Sequence, residues 1–285
     1  MTFFLLLAIF LLGASVGSFL NVLVWRERPV KKKKKLSWWR GRSVCDSCGK
    51  DLRWWENIPL VSFLFLKGRC RTCHSPIAFE YFLVEFGTGL IYLLVFFNLP
   101  PISFLLSTVY CLLTTILIFI FLYDLHYQII PDWSVLGLVL LTLAGYLFHP
   151  RGVPLGHLRG EFGRETPSAQ LESIDISNIG SGLLAGLSAA GFFLFLHLIT
   201  KGRGMGLGDV KFAFFMGLFL GPSRLVLALY FAFLTGAVIG VILILLGRKR
   251  FGQHIPFGPF LAAGTFFSWL WGDSVINFLA ANFFL

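Results

Sequence analysis

Apolar residues run along the chain in long unbroken blocks. They neither alternate nor recur on a single helical face, and this pattern predicts helices with apolar surroundings on every side. About 20 apolar residues cross a bilayer. On that ruler the blocks predict spans near 3–24, 82–99, 102–122, 133–149, 179–200, 210–221, 225–246 and 256–272. The expected fold is therefore an all-α integral membrane protein with about eight transmembrane helices. The first block has no basic residues ahead of it and is longer than a secretory signal, so it is read as a retained span. Two long polar stretches interrupt the blocks, at 25–81 and at 150–178.

Composition agrees with the pattern: 56% of the 285 residues are hydrophobic and 13% charged, against about a quarter charged in soluble domains. The net charge of +10 flanks the apolar blocks, as the positive-inside bias requires. No recognition helix or aromatic-basic platform accompanies it, so no nucleic-acid partner is expected. An even number of spans with the amino terminus outside sorts most basic residues to one side. These are the many in 25–81, with Lys201, Arg203, Lys211, Arg248, Lys249 and Arg250. Only Arg151, Arg159, Arg164 and Arg224 fall on the other. Losing the short span 210–221 would move Arg248 to Arg250 outside, which is why it is retained. The run Lys31 to Lys35 is read as a solvated charge block, with attraction to anionic headgroups as its functional alternative.

The inner polar stretch contains Cys45-x-x-Cys48, then 21 residues, then Cys70-x-x-Cys73. Two such turns can each offer two sulfurs, which is the spacing of a closed four-thiolate zinc site. The alternative of two disulfides conflicts with a cytoplasmic loop. Structural zinc is therefore expected on Cys45, Cys48, Cys70 and Cys73, with His74 a possible substitute ligand and Cys111 a packing residue.

Ionisable side chains within a membrane default to functional roles. Asp124 closes the third predicted span and Asp209 opens the sixth, 85 positions later, so both fall at the same membrane face. Two carboxylates held together can share one proton, the ionised one activating water while the protonated one polarises a peptide carbonyl. That chemistry makes Asp124 and Asp209 the candidate catalytic pair of an aspartyl peptidase. Gly204, Gly206 and Gly208 precede Asp209 and are expected to let backbone pass closely in conformations closed to other residues. The competing reading of Asp209 is a helix cap. Asp132, after Pro131, is read as a helix-start residue, and His126 as a polar surface residue.

In this order the motifs resemble the bacterial prepilin peptidase family over nearly the whole chain. The resemblance is carried by Gly17-Ser18-Phe19-Leu20-Asn21-Val22 leading to Arg26, the paired Cys-x-x-Cys around Asn57-Ile58-Pro59, and the stretch Asp124 to Asp132. Gly206-Leu207-Gly208-Asp209-Val210-Lys211 and Ile255-Pro256-Phe257-Gly258-Pro259-Phe260 complete it. It implies a multi-pass enzyme of the bacterial inner membrane. Such an enzyme removes the basic leader of type IV prepilins or type II secretion pseudopilins on the cytoplasmic side. It then N-methylates the new amino terminus with S-adenosylmethionine.

The implied division is 1–99, two spans and the cysteine loop, associated with methyl transfer, and 100–285, a six-span peptidase core. Asn21, Arg26 and Glu85, at the loop's membrane edges, are candidates for the methyl-transfer step. Glu85 could accept a proton or anchor the amine, and its alternative is a structural pairing with an arginine. No residue is assigned to the methyl donor. Two other readings stand beside this one: a peptidase without methyl transfer, and a metal-binding transporter whose aspartates line an ion path.

Overall fold

The structure, a computed structural model, describes residues 2–27, 42–45, 47–98, 104–148, 176–202, 204–248 and 255–283. Lys31 to Lys35 and nearly all of the stretch 150–178 lie outside the described residues. Helices dominate what is described, and contacts divide the chain into two units, Met1–Phe97 and Asn98–Leu285.

In the first unit, α1 (Thr2–Arg26) and α3 (Phe79–Asn98) flank the cysteine segment, which carries the short helix α2 (Val61–Phe65). The two long helices meet through small residues. A Cβ added at Gly13 would lie 2.9 Å from Cα of Gly89, and one at Gly17 would lie 2.9 Å from Cα of Glu85. Gly13 and Gly17 are four apart, the spacing that lets helices approach to backbone contact in lipid. Asn21 Nδ2 donates to the Tyr81 carbonyl at 3.2 Å and adds a polar tie between them.

The second unit contains α4 (Phe104–Tyr127), α5 (Asp132–Phe148), α6 (Ile176–Ile199), α7 (Leu207–Leu245) and α8 (Gly258–Phe283). Helix α7 packs against α5, α6 and α8, and α4 packs against α5 and α8. The fully buried rings of Tyr110, Phe119, Phe193, Phe212, Phe215 and Phe219 fill the space between them. Helix α7 has 39 residues, about 58 Å at about 1.5 Å per residue, roughly twice the hydrocarbon thickness of a bilayer. It is broken at Gly221 (φ 72°), directly before Pro222, where proline removes a helical donor and crowds the preceding turn. The break falls between the predicted spans 210–221 and 225–246.

Among the described residues, five helices are long and apolar enough to cross a membrane: Phe3–Arg26, Phe79–Asn98, Ser107–Tyr127, Ile179–Ile199 and Leu207–Leu245. Asp132–Tyr146 is a shorter apolar helix. The chain is thus an all-helical, multi-pass membrane protein. Arg224, counted above as an outer charge, is not a surface residue. It is 2% exposed and forms a two-pronged ion pair with Asp273, one prong being Nε to Oδ1 at 2.7 Å.

Candidate functional site

The last turn of α4 carries Asp124 and the first turn of α7 carries Asp209, and both are buried, at 4% and 9% exposure. Helix α4 ends because Gln128 turns left-handed (φ 56°) and donates its N–H to the Asp124 carbonyl at 2.8 Å, a common way of closing a helix. Ile129 and Ile130 then lead to Pro131, and α5 begins at Asp132. Helix α7 begins after Gly206, whose N–H donates to Oδ2 of Asp209 at 3.0 Å. That contact is the capping role weighed from sequence, and it engages one carboxylate oxygen.

Asp124 is held in the same manner by a different helix. The N–H of Gly258, the first residue of α8, donates to Asp124 Oδ2 at 2.9 Å. Helix amino termini carry donors without intrahelical partners and favour negative charge. Each acid is therefore seated through Oδ2 at such a terminus, α7 for Asp209 and α8 for Asp124. Asp209 is close enough for its charge to act on Asp124, so the fold brings together two carboxylates 85 positions apart in sequence.

The glycine expectation is met in one respect and corrected in another. Gly204, Gly206 and Gly208 are absent from the positive-φ residues, and Gly206 is extended at φ −80°, ψ 157°. What matters at Gly208 is space: a Cβ there would lie 3.0 Å from Cβ of the buried Ile130. The segments that follow Asp124 and precede Asp209 are packed together at that point. Asp132 opens α5, is exposed, and pairs with Lys211 Nζ at 2.7 Å, linking the two motifs at the surface. His126 is exposed, with Nδ1 2.8 Å from the Leu122 carbonyl.

Gly258 is the site residue whose role sequence reasoning missed. The signal available was a proline-flanked glycine at the head of the last apolar block. Nothing local indicated which side chain its N–H would meet.

The four cysteines form a second, separate centre in the first unit. Their sulfurs all lie within 4.8 Å of one another, with Cys45 Sγ and Cys73 Sγ 3.8 Å apart. Four thiolates at about 2.3 Å from a zinc ion sit about 3.8 Å apart along the edges of a tetrahedron, so the residues fit a four-coordinate metal. All four are free thiols, and the disulfide alternative is not realised.

The fit arises from two matching turns. Cys45 N–H donates to the Lys50 carbonyl and Cys70 N–H to the Ser75 carbonyl, both at 2.9 Å. The N–H groups of Gly49 and His74 return to the carbonyls of Cys45 and Cys70 at 2.8 and 3.0 Å. Gly49 (φ 69°) and His74 (φ 57°) hold the same left-handed position. His74 thus serves the turn and lies outside the sulfur cluster. The Ser75 hydroxyl, 3.1 Å from Cys73 Sγ, and then the Ser75 backbone push the Cys73 thiol down to about 6. That shift favours the thiolate a metal requires.

Comparison with known proteins follows the same division. Residues 11–99 match the Bacterial Peptidase A24 N-terminal domain, and residues 111–241 match the Type IV leader peptidase family. Proteins named prepilin leader peptidase/N-methyltransferase are similar over nearly the full length. The one from Aeromonas hydrophila is 32% identical over 96% of this chain and 93% of its own. That from Pseudomonas aeruginosa is 34% identical over 93% and 90%, and that from Legionella pneumophila 31% over 96% and 94%. No solved structure matches the chain.

Proposed function

Because this chain belongs to the type IV leader peptidase family, we propose that it is a bifunctional membrane enzyme. It hydrolyses the bond after the basic leader of a type IV prepilin or type II secretion pseudopilin, then N-methylates the amino terminus so freed. The observation that carries the peptidase half is the pair Asp124 and Asp209, both buried, each seated through Oδ2 at a helix amino terminus, with the Asp209 charge acting on Asp124. Neighbouring carboxylates resist ionising together and share one proton. The ionised member takes a proton from water as the water oxygen attacks the scissile carbonyl carbon, and the protonated member donates to the carbonyl oxygen. Collapse of the tetrahedral species transfers a proton to the leaving amine and restores the pair. Asp132, exposed and ion-paired, takes no part in this chemistry.

The topology in this reading has eight crossings with the amino terminus outside. Loops 25–81, 123–132, 201–209 and 247–254 are cytoplasmic, and 150–178 is outside. The division of the 39-residue α7 at Gly221 and the charge bias along the sequence support it. The membrane is the bacterial inner membrane.

Cys45, Cys48, Cys70 and Cys73 would hold zinc in a closed site that stabilises the polar loop and offers no open position for catalysis. S-adenosylmethionine would supply an electrophilic methyl group to the freed amine.

The test is to incubate the purified protein with a prepilin and the methyl donor and to weigh the product by mass spectrometry. The expected product has lost its leader and gained one methyl group at its amino terminus. An untouched prepilin would contradict the peptidase half, and a cleaved but unmethylated product the methyltransferase half.

A further inference from the structure

Within the first unit, a cavity of about 340 Å³ lies between α1, the cysteine segment and α3. That volume is at the lower end of the range that takes a cofactor-sized ligand. Its walls join three chemistries. Trp25, Phe63 and Phe82 contribute aromatic rings, Arg42 and Arg71 contribute cations, and Glu85 contributes a carboxylate.

Glu85 is built into this wall rather than merely near it. Its Oε2 accepts the Leu60 N–H at 2.7 Å. Leu60 presents that N–H from φ 62°, ψ −48°, a backbone conformation costly for a residue with a side chain. Such strain persists only where surrounding structure over-determines it, and it clusters at functional sites. From the other side, backbone contact between Gly17 and Glu85 fixes the position of α3 against α1. A carboxylate held by a strained turn and a close helix crossing, in the wall of a cavity of this size, has the features of a prepared site.

The walls also match the donor's functional groups. A sulfonium nucleoside presents a flat base, a carboxylate and a cationic sulfur. Rings suit the base, arginines suit the carboxylate, and aromatic faces with a carboxylate suit the cation.

We propose that this cavity is the methyl-transfer site, holding the sulfonium donor beside the freed peptide amino terminus, with Glu85 as the residue that receives the amine's proton. The proposal rests on the methyltransferase half of the reading above. The amine nitrogen's lone pair forms the new N–C bond as the C–S bond breaks. The C–S electron pair leaves on sulfur, which passes from sulfonium to thioether. The proton released by nitrogen goes to the Glu85 carboxylate and from there to water. Positioning supplies much of the remaining rate.

The experiment uses the full-length protein in detergent, with two readouts. One is methylation of a synthetic, already-cleaved peptide, and the other is calorimetric binding of S-adenosylhomocysteine. Glu85→Gln should lower methyl transfer by roughly 10²–10⁴-fold, the span of a lost acid-base group, while binding stays within about threefold and prepilin cleavage is unchanged. Ser62→Trp, which fills the cavity from α2, should weaken binding at least about tenfold while also leaving cleavage unchanged. A wild type that cleaves but methylates no peptide overturns the methyltransferase reading and this proposal with it. A wild type that methylates, together with a Glu85→Gln variant of full methylating rate or a Ser62→Trp variant of full binding, overturns the proposal alone.

Discussion

A Cβ added at Gly258 would lie 2.6 Å from Oδ2 of Asp124, closer than any real contact, and Asp124 would have to move. A shift of about 1 Å at a reacting group can cost about 10²-fold in rate. Gly258→Ala should therefore cut leader cleavage by roughly that factor. Gly180→Ala, where an added Cβ meets nothing within 4 Å, should leave cleavage unchanged, and equal rates for the two variants would contradict the positioning role. At the cysteine centre, His74→Gly should keep full metal content by elemental analysis, because His74 fills a left-handed turn position that Gly49 fills in the matching turn. Replacing Cys45, Cys48, Cys70 and Cys73 together by serine should abolish it. The cysteine cluster was legible because its spacing is written locally, and the aspartates were legible as ionisable residues at the ends of apolar blocks. Gly258 was not, because its contribution is a backbone N–H delivered to an acid 134 positions away.

Among the elements, the apolar blocks located every long helix, but the ends shifted. Helix α4 continues past predicted residue 122 to Tyr127, and α8 past 272 to Phe283, since polar residues at a helix end need not stop it. The break in α7 was visible as Gly221-Pro222, whereas the pairing of Arg224 with Asp273 was not. Sequence offered Arg224 as one of the few charges sorted to the outer side, and the fold buries it against an acid 49 positions later. Removing one partner of a buried ion pair leaves an uncompensated charge, at a cost of about 3–5 kcal/mol. Replacing both with apolar residues is often neutral. Thermal unfolding in detergent should accordingly show Arg224→Met and Asp273→Leu each strongly destabilised and the double variant largely restored. Additive losses in the double variant would contradict the pairing.

For the whole molecule, membership of the membrane and of the family could be read from block lengths and motif order, and the convergence of the two acids could not. Asp124 and Asp209 end and begin helices separated by α5 and α6, and only the packing of α7 against α5 and α8, with α8 against α4, brings them together. The central claim is that this pair performs the hydrolysis while methyl transfer depends on the amino-terminal unit. It is tested most directly by measuring both reactions in Asp124→Asn and Asp209→Asn, using a prepilin for cleavage and a synthetic, already-cleaved peptide for methylation. Loss of an acid-base group predicts a fall in cleavage of roughly 10²–10⁴-fold or more in each variant, with methylation of the peptide retained as evidence that the protein still folds and inserts. Cleavage at near wild-type rate in either variant would contradict the account.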